Sequence, residues 1–140
     1  MNIGLLGFGV VGRGVYEITR ERVDMQVTKV LCLEDINLPD AQAVKNIRDI
    51  VEDETIDTVV EAMGGLHPAY EFVRAAIEAG KNVVTSNKAL VCTFYDELLP
   101  WQMRRVSASV PLPLLAAASA GSASWSAPAV SRRLTRLAAS

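Results

Sequence analysis

Cysteine is nearly absent, with Cys32 and Cys92 alone in 140 residues. Two thiols build no disulfide framework, and their apolar neighbours predict reduced, buried cysteines in an intracellular protein. Histidine is scarcer still, represented by His67 alone, and nowhere do His, Cys, Asp and Glu fall at metal-ligand spacing. No metal is expected. Long apolar runs are missing too: the run from Val110 to Ala118 contains Pro111 and Pro113 and is too short for a bilayer. Nothing at the amino terminus resembles a secretory signal, because no positive charge precedes its apolar stretch and glycines interrupt it. The expectation is a soluble, cytoplasmic protein with neither membrane nor nucleic acid as partner.

Acidic residues are missing from one segment only. The formal charge of -2 conceals 9 Lys+Arg against 16 Asp+Glu in residues 1–100, a balance of -7, and 5 arginines with no acid in residues 101–140, a balance of +5. A split of this kind divides the chain into a domain at 1–100 and a tail at 101–140.

Within the domain the apolar pattern alternates between strand and helix. Asn2 to Leu6 reads as a buried strand stopped by Gly7, after which Val11, Val15 and Ile18 share one helical face. A second strand is expected at about Gln26 to Leu33, then a polar loop from Glu34 to Gln42, then a short helical stripe of Ile47, Ile50 and Val51. Thr58 to Glu61 is the next strand. Pro68 suits the first position of the following helix, Leu66, Tyr70, Val73 and Ile77 mark its buried side, and Gly80 supplies its left-handed stop. Asn82 to Val84 is another strand, Asn87 caps a short helix from Lys88, and Tyr95 to about Arg104 forms a further helix. Such alternation predicts an α/β fold, a Rossmann-like doubly wound parallel sheet.

Gly7-Phe8-Gly9-Val10-Val11-Gly12 is a G-x-G-x-x-G that directly follows a predicted strand and opens a predicted helix. Gly7 permits the tight turn, Gly9 lets backbone approach a pyrophosphate, and Gly12 lets helix and sheet pack closely. The helix N-terminus offers free N–H groups to the phosphates. An acid about 20 residues further on binds the adenosine ribose in such sites. Glu34 and Asp35 stand there, which favours NAD over NADP.

Two more loops leave carboxyl ends of strands, where ligands bind in open sheets. One runs Glu61-Ala62-Met63-Gly64-Gly65, with Met63 read as loop packing; the other runs Thr85-Ser86-Asn87-Lys88. Lys88 would sit at the mouth of the crevice, where a partly desolvated lysine can relay an alcohol proton. His67, beside Pro68, is read as a helix-start residue without a chemical role, and Cys92 as core.

The segments 4–12, 60–70 and 79–91 resemble the homoserine dehydrogenase family, in order and with sensible spacing across about residues 2–100. The resemblance implies reduction of aspartate semialdehyde to homoserine with NAD or NADP. It implies that Lys88 is the active-site lysine near the nicotinamide, and that Gly64, Gly65, Thr85, Ser86 and Asn87 line the cofactor beside the glycine loop. From Trp101 the resemblance ends. Ala, Ser, Arg, Leu and Pro supply 31 of the last 40 residues, while Asp, Glu, Lys, Asn, Ile and His are absent. That composition fits a coding strand read out of frame, and the alternative is a basic tail for an acidic partner. Either way the expectation is a truncated sheet with a poorly ordered tail, no family dimer interface, and a chain reduced to cofactor binding. A free-standing NAD(P)-binding regulatory module is the alternative role.

Overall fold

The computed structural model describes residues 1–98 and 100, together with the backbone of 116 and 117. Short runs rich in branched and aliphatic residues form its strands: β1 Asn2–Leu6, β2 Gln26–Leu31, β3 Gln42–Val44, β4 Thr58–Glu61, β5 Asn82–Thr85 and β6 Ala116–Ala117. The helices are α1 Val10–Arg20, α2 Arg48–Val51, α3 Ala69–Glu78 and α4 Lys88–Thr93. All five pairings are parallel, in the order β3-β2-β1-β4-β5-β6. The chain therefore runs outward from β1 in one direction, returns, and continues from β4 in the other. This is the doubly wound order, and it places a crevice at the carboxyl ends of β1 and β4.

Side chains alternate across each strand, so the sheet has two apolar faces. Ile3, Leu5, Val27 and Val30 pack with Tyr16 of α1 on one face. Leu6, Leu31, Val44, Val59 and Val83 pack with Ile50 of α2, Val73 and Ile77 of α3, and Leu90 of α4 on the other. Leu5 and Leu6 are fully buried, each contributing about 1.5–3 kcal/mol through area removed from water. Gly4 is required here, because a Cβ on it would lie 2.5 Å from Ile50 Cγ2. At the amino ends of the strands Lys29 pairs with Asp53 at 2.7 Å, and the buried Lys81 ammonium donates to the carbonyls of Asp53 and Ile56.

Several expectations change in detail. The apolar residues Val11 and Ile18 of α1 are exposed, and the buried side is Gly12, Tyr16 and Thr19. Contact between Gly12 and the glycine loop sets the rotation of the helix, overriding side-chain size. The second strand ends at Leu31 rather than Leu33, and Gln42, assigned to a loop, opens β3 on the sheet edge. Pro68 caps α3 rather than occupying its first turn, and the His67–Pro68 bond is cis. Cys32 is half-buried and Cys92 exposed, against the expectation of core; Leu90 takes the inward position on α4, which turns Cys92 outward. Residues 95–98 and 100 are helical, and 101–104 of the expected last helix lie outside the described residues. So does the expected tail, except that Ala116–Ala117 add a strand to β5 that sequence reasoning did not supply. Among the described residues no helix is long and apolar enough to cross a membrane.

Candidate functional site

Three loops meet at the carboxyl ends of the central strands. The first turns from β1 into α1. Gly7 holds φ at +91°, and its N–H donates to Leu31 O at 2.9 Å, which ties the turn to the end of β2. A Cβ on Gly12 would fall 2.2 Å from Gly7 O, so α1 touches the turn backbone to backbone. Gly9, the N-cap of α1, has open space where its Cβ would stand, and no side chain caps the helix. No acid occupies the first turn. The amino end of α1 is therefore an uncompensated positive dipole end with an open approach, the setting an anion needs. Val10 is almost fully exposed and Val11 half so. Phe8 is partly buried with its ring 5.7 Å from that of Tyr16.

The second loop follows β4 and abuts the first. A Cβ on Gly7 would come within 3.0 Å of Met63 Cα, and Ala62 N donates to Leu6 O at 2.9 Å. Met63 packs against the core, as read from sequence. Gly64 and Gly65 both have positive φ, +76° and +73°, and open space around them. The third loop follows β5. The Asn87 side chain accepts from Leu90 N at 3.1 Å as the cap of α4, and its Nδ2 donates to Gly65 O at 2.5 Å. Ser86 is exposed, and its carbonyl accepts from Lys88 N at 3.1 Å. Lys88 begins α4 and is exposed rather than partly desolvated: it stands at the rim, with Leu90 the buried anchor of its helix. The glycine loop, Met63, Gly64, Gly65, Thr85, Ser86, Asn87 and Lys88 thus share one end of the sheet.

Glu34 and Asp35 are exposed and stand beyond the end of β2, on the same end. Lys45, which sequence reasoning passed over, sits among them. Its ammonium donates to Leu33 O at 2.6 Å and Glu34 O at 2.8 Å, and pairs with Asp35 at 2.9 Å. The bond from Lys45 holds the Asp35 carboxyl below its usual range. Arg13 was also passed over; its Nε donates to Phe8 O at 3.2 Å, placing a cation beside the glycine loop. His67 is exposed and pairs with Glu71 at 2.6 Å, outside the three-loop junction.

Glu61, placed by the sequence at the head of the second loop without a role of its own, is the third. It ends β4, is 1% exposed, and lies opposite Thr85 in the register of β4 with β5. Its Oε1 accepts from Met63 N at 2.8 Å and Gly64 N at 3.1 Å, and its Oε2 accepts from the Thr85 hydroxyl. Thr85 Oγ1 in turn accepts from Asn87 N at 3.0 Å. An acid at a strand end gives no sequence signal of burial, so only the fold reveals it.

Concavities of about 450 and 550 Å³ occur elsewhere, one lined by Tyr16, Thr19 and Met25, the other by Ile36, Leu38 and Gln42. Neither includes a residue of the three loops. The loop junction is an open rim, suited to an extended ligand that reaches across it.

The residues present fit a dinucleotide: close backbone contact at Gly7 and Gly12, open space at Gly9, Gly64 and Gly65, and a free helix N-terminus. Comparison with known proteins agrees. Residues 7–104 match the family model described as homoserine dehydrogenase, NAD binding domain. The homoserine dehydrogenase of Methylobacillus glycogenes is 40% identical over 133 residues, covering 82% of this chain and 32% of that protein. That of Bacillus subtilis is 31% identical, covering 71% and 26%. The crystal structure of a homoserine dehydrogenase from Thiobacillus denitrificans superposes with a TM-score of 0.67 at 33% identity, over 76% of this chain and 28% of that one. The chain thus spans about a quarter to a third of the length of these relatives, and it belongs to the homoserine dehydrogenase family through that family's NAD-binding domain.

Proposed function

We propose that the chain binds a nicotinamide dinucleotide across the three-loop rim, as the cofactor half of a homoserine dehydrogenase site. The observation that carries this reading is the backbone contact of Gly12 with Gly7 beside the open N-terminus of α1. The pyrophosphate would take the N–H groups of Val10, Val11 and Gly12, with Arg13 nearby as a cation. Gly64, Gly65, Ser86 and Asn87 would line the nicotinamide end, with buried Thr85 behind them. When bound, the cofactor supplies the hydride that reduces an aldehyde such as aspartate semialdehyde. Lys88 would hold or pass the proton at the new alcohol oxygen. Glu34 and Asp35 favour NAD, and Lys45 offsets part of their charge, which narrows the preference.

Taken by itself, the chain is proposed to bind cofactor without measurable turnover, since the described residues supply one wall of the crevice and no group placed to fix a substrate carboxylate. The domain at 1–100 is proposed to do this, with Ala116–Ala117 extending its sheet beside β5. Thermal melts with and without NADH or NADPH test the reading. At 100 times the dissociation constant a ligand adds about 2.7 kcal/mol to stability, a rise of several degrees. An unchanged melt at millimolar concentrations of both dinucleotides would overturn it.

A further inference from the structure

We propose that Glu61 is a positioning residue, a buried carboxylate that latches the loop after β4 to the loop after β5, so that dinucleotide binding depends on both loops being held together. The inference rests on the dinucleotide reading of the rim and names a residue that carries it.

Burying a carboxylate is costly unless donors replace its water. Among the described residues no cation pairs with Glu61, and its charge is met by hydrogen bonds alone: two backbone N–H groups on Oε1 and one hydroxyl on Oε2. Charge-assisted bonds of this kind are stronger than neutral ones. The donors come from different loops. Met63 and Gly64 belong to the loop after β4, whereas Thr85 starts the loop after β5 and passes the connection to Asn87 N. Asn87 then closes the circuit from its side chain to Gly65 O. The circuit runs Glu61, Thr85, Asn87, Gly65 and back through Gly64 to Glu61. Gly64 and Gly65, both at positive φ with open surroundings, have no packing of their own to fix them. Their position is set by this circuit, and so is their spacing from Lys88, the next residue after Asn87.

The link through Thr85 separates a latch from simple local structure. Glu61 binds Met63 and Gly64 directly, so if the loop is merely locally stable, changing Thr85 leaves those amides alone. If the carboxylate acts as a latch, removing the Thr85 hydroxyl leaves Oε2 buried without a donor. The carboxylate then turns toward water and releases Oε1 from the other loop.

Two measurements on the whole chain decide it. Amide hydrogen exchange without ligand should show Met63 and Gly64 exchanging at least about tenfold faster in Thr85→Val than in the parent, with Thr85→Ser restoring protection. Affinity for NADH should fall about tenfold in Thr85→Val and return to within about twofold in Thr85→Ser, the loss expected of one buried charge-assisted bond. Thr85→Ala, which removes the same hydroxyl, should behave like Thr85→Val; it serves if Thr85→Val fails to fold. Unchanged exchange at Met63 and Gly64 in a folded variant overturns the latch, whatever the affinity. Faster exchange with undiminished affinity overturns its role in binding. Faster exchange in a chain whose parent binds neither NADH nor NADPH supports the latch and overturns the dinucleotide reading instead.

Discussion

Replacing Gly12 by alanine tests the geometry on which the nucleotide reading stands. In a free helix the change is favourable, since alanine gains about 1 kcal/mol over glycine. Here the new Cβ would lie 2.2 Å from Gly7 O and 3.0 Å from Gly7 C. A carbon and a carbonyl oxygen approach to about 3.3 Å at closest, so α1 must retreat by about 1 Å. Neither partner is a flexible side chain; the turn is pinned by Gly7 N to Leu31 O and the helix by buried Tyr16. Overpacking of one methyl costs up to about 3 kcal/mol in such a place. Set against the helix gain, the net loss is about 2 kcal/mol, or roughly 10 °C in Tm for a domain of this size. Gly14→Ala is the control, because it lies on the same helix with nothing within 4 Å of its Cβ. It should raise Tm by a few degrees. Circular dichroism melts of the three chains give the answer. A Gly12→Ala chain melting at or above the parent, or an equal loss in Gly14→Ala, refutes the close contact.

Further outcomes follow from other residues. Gly9→Ala should cost under about 1 kcal/mol of stability, as a weaker N-cap, yet lower NADH affinity at least about tenfold, because its Cβ enters the space kept open for a phosphate; melts and titrations separate the two effects. The bond from Lys29, helped by Thr55, holds the Asp53 carboxyl well below its usual range. A depressed carboxylate stabilises the fold above its unfolded pKa and loses that contribution as pH falls. Urea midpoints should therefore drop as pH is lowered below about 4, the ordinary range of an Asp, and Asp53→Asn should flatten that drop. Replacing Glu34 and Asp35 together by Gln and Asn should raise NADPH affinity about fivefold, the effect of removing charges several ångströms from a phosphate near water's dielectric, with little change for NADH. Lys45→Ala should act in the opposite direction on NADPH.

The parts of this fold legible in the sequence are those where side-chain pattern and backbone chemistry agree. The strands β1, β2, β4 and β5 carry branched residues bounded by glycine or polar turns, and α3, Ala69–Glu78, lies between Pro68 and Gly80 with Val73 and Ile77 inward. β3 escaped notice because Gln42-Ala43-Val44 is too short to show alternation, and only the edge of β2 makes it a strand. The face of α1 was misjudged because its rotation is decided by a glycine, which has no hydrophobic weight in any periodic pattern. In the site, glycines and loop residues could be found by motif. The place of Lys45 and the role of Glu61 could not: one meets Asp35 ten residues away, and the other is buried through donors on two separate loops.

The central claim is that this chain holds a nicotinamide dinucleotide at the glycine loop, and titration of the purified chain with NADH, followed by tryptophan and nicotinamide fluorescence, tests it most directly. Saturable binding that Gly9→Val abolishes while the chain stays folded is the expected result. A folded parent with no saturable signal, or a Gly9→Val chain that binds as well as the parent, would contradict it.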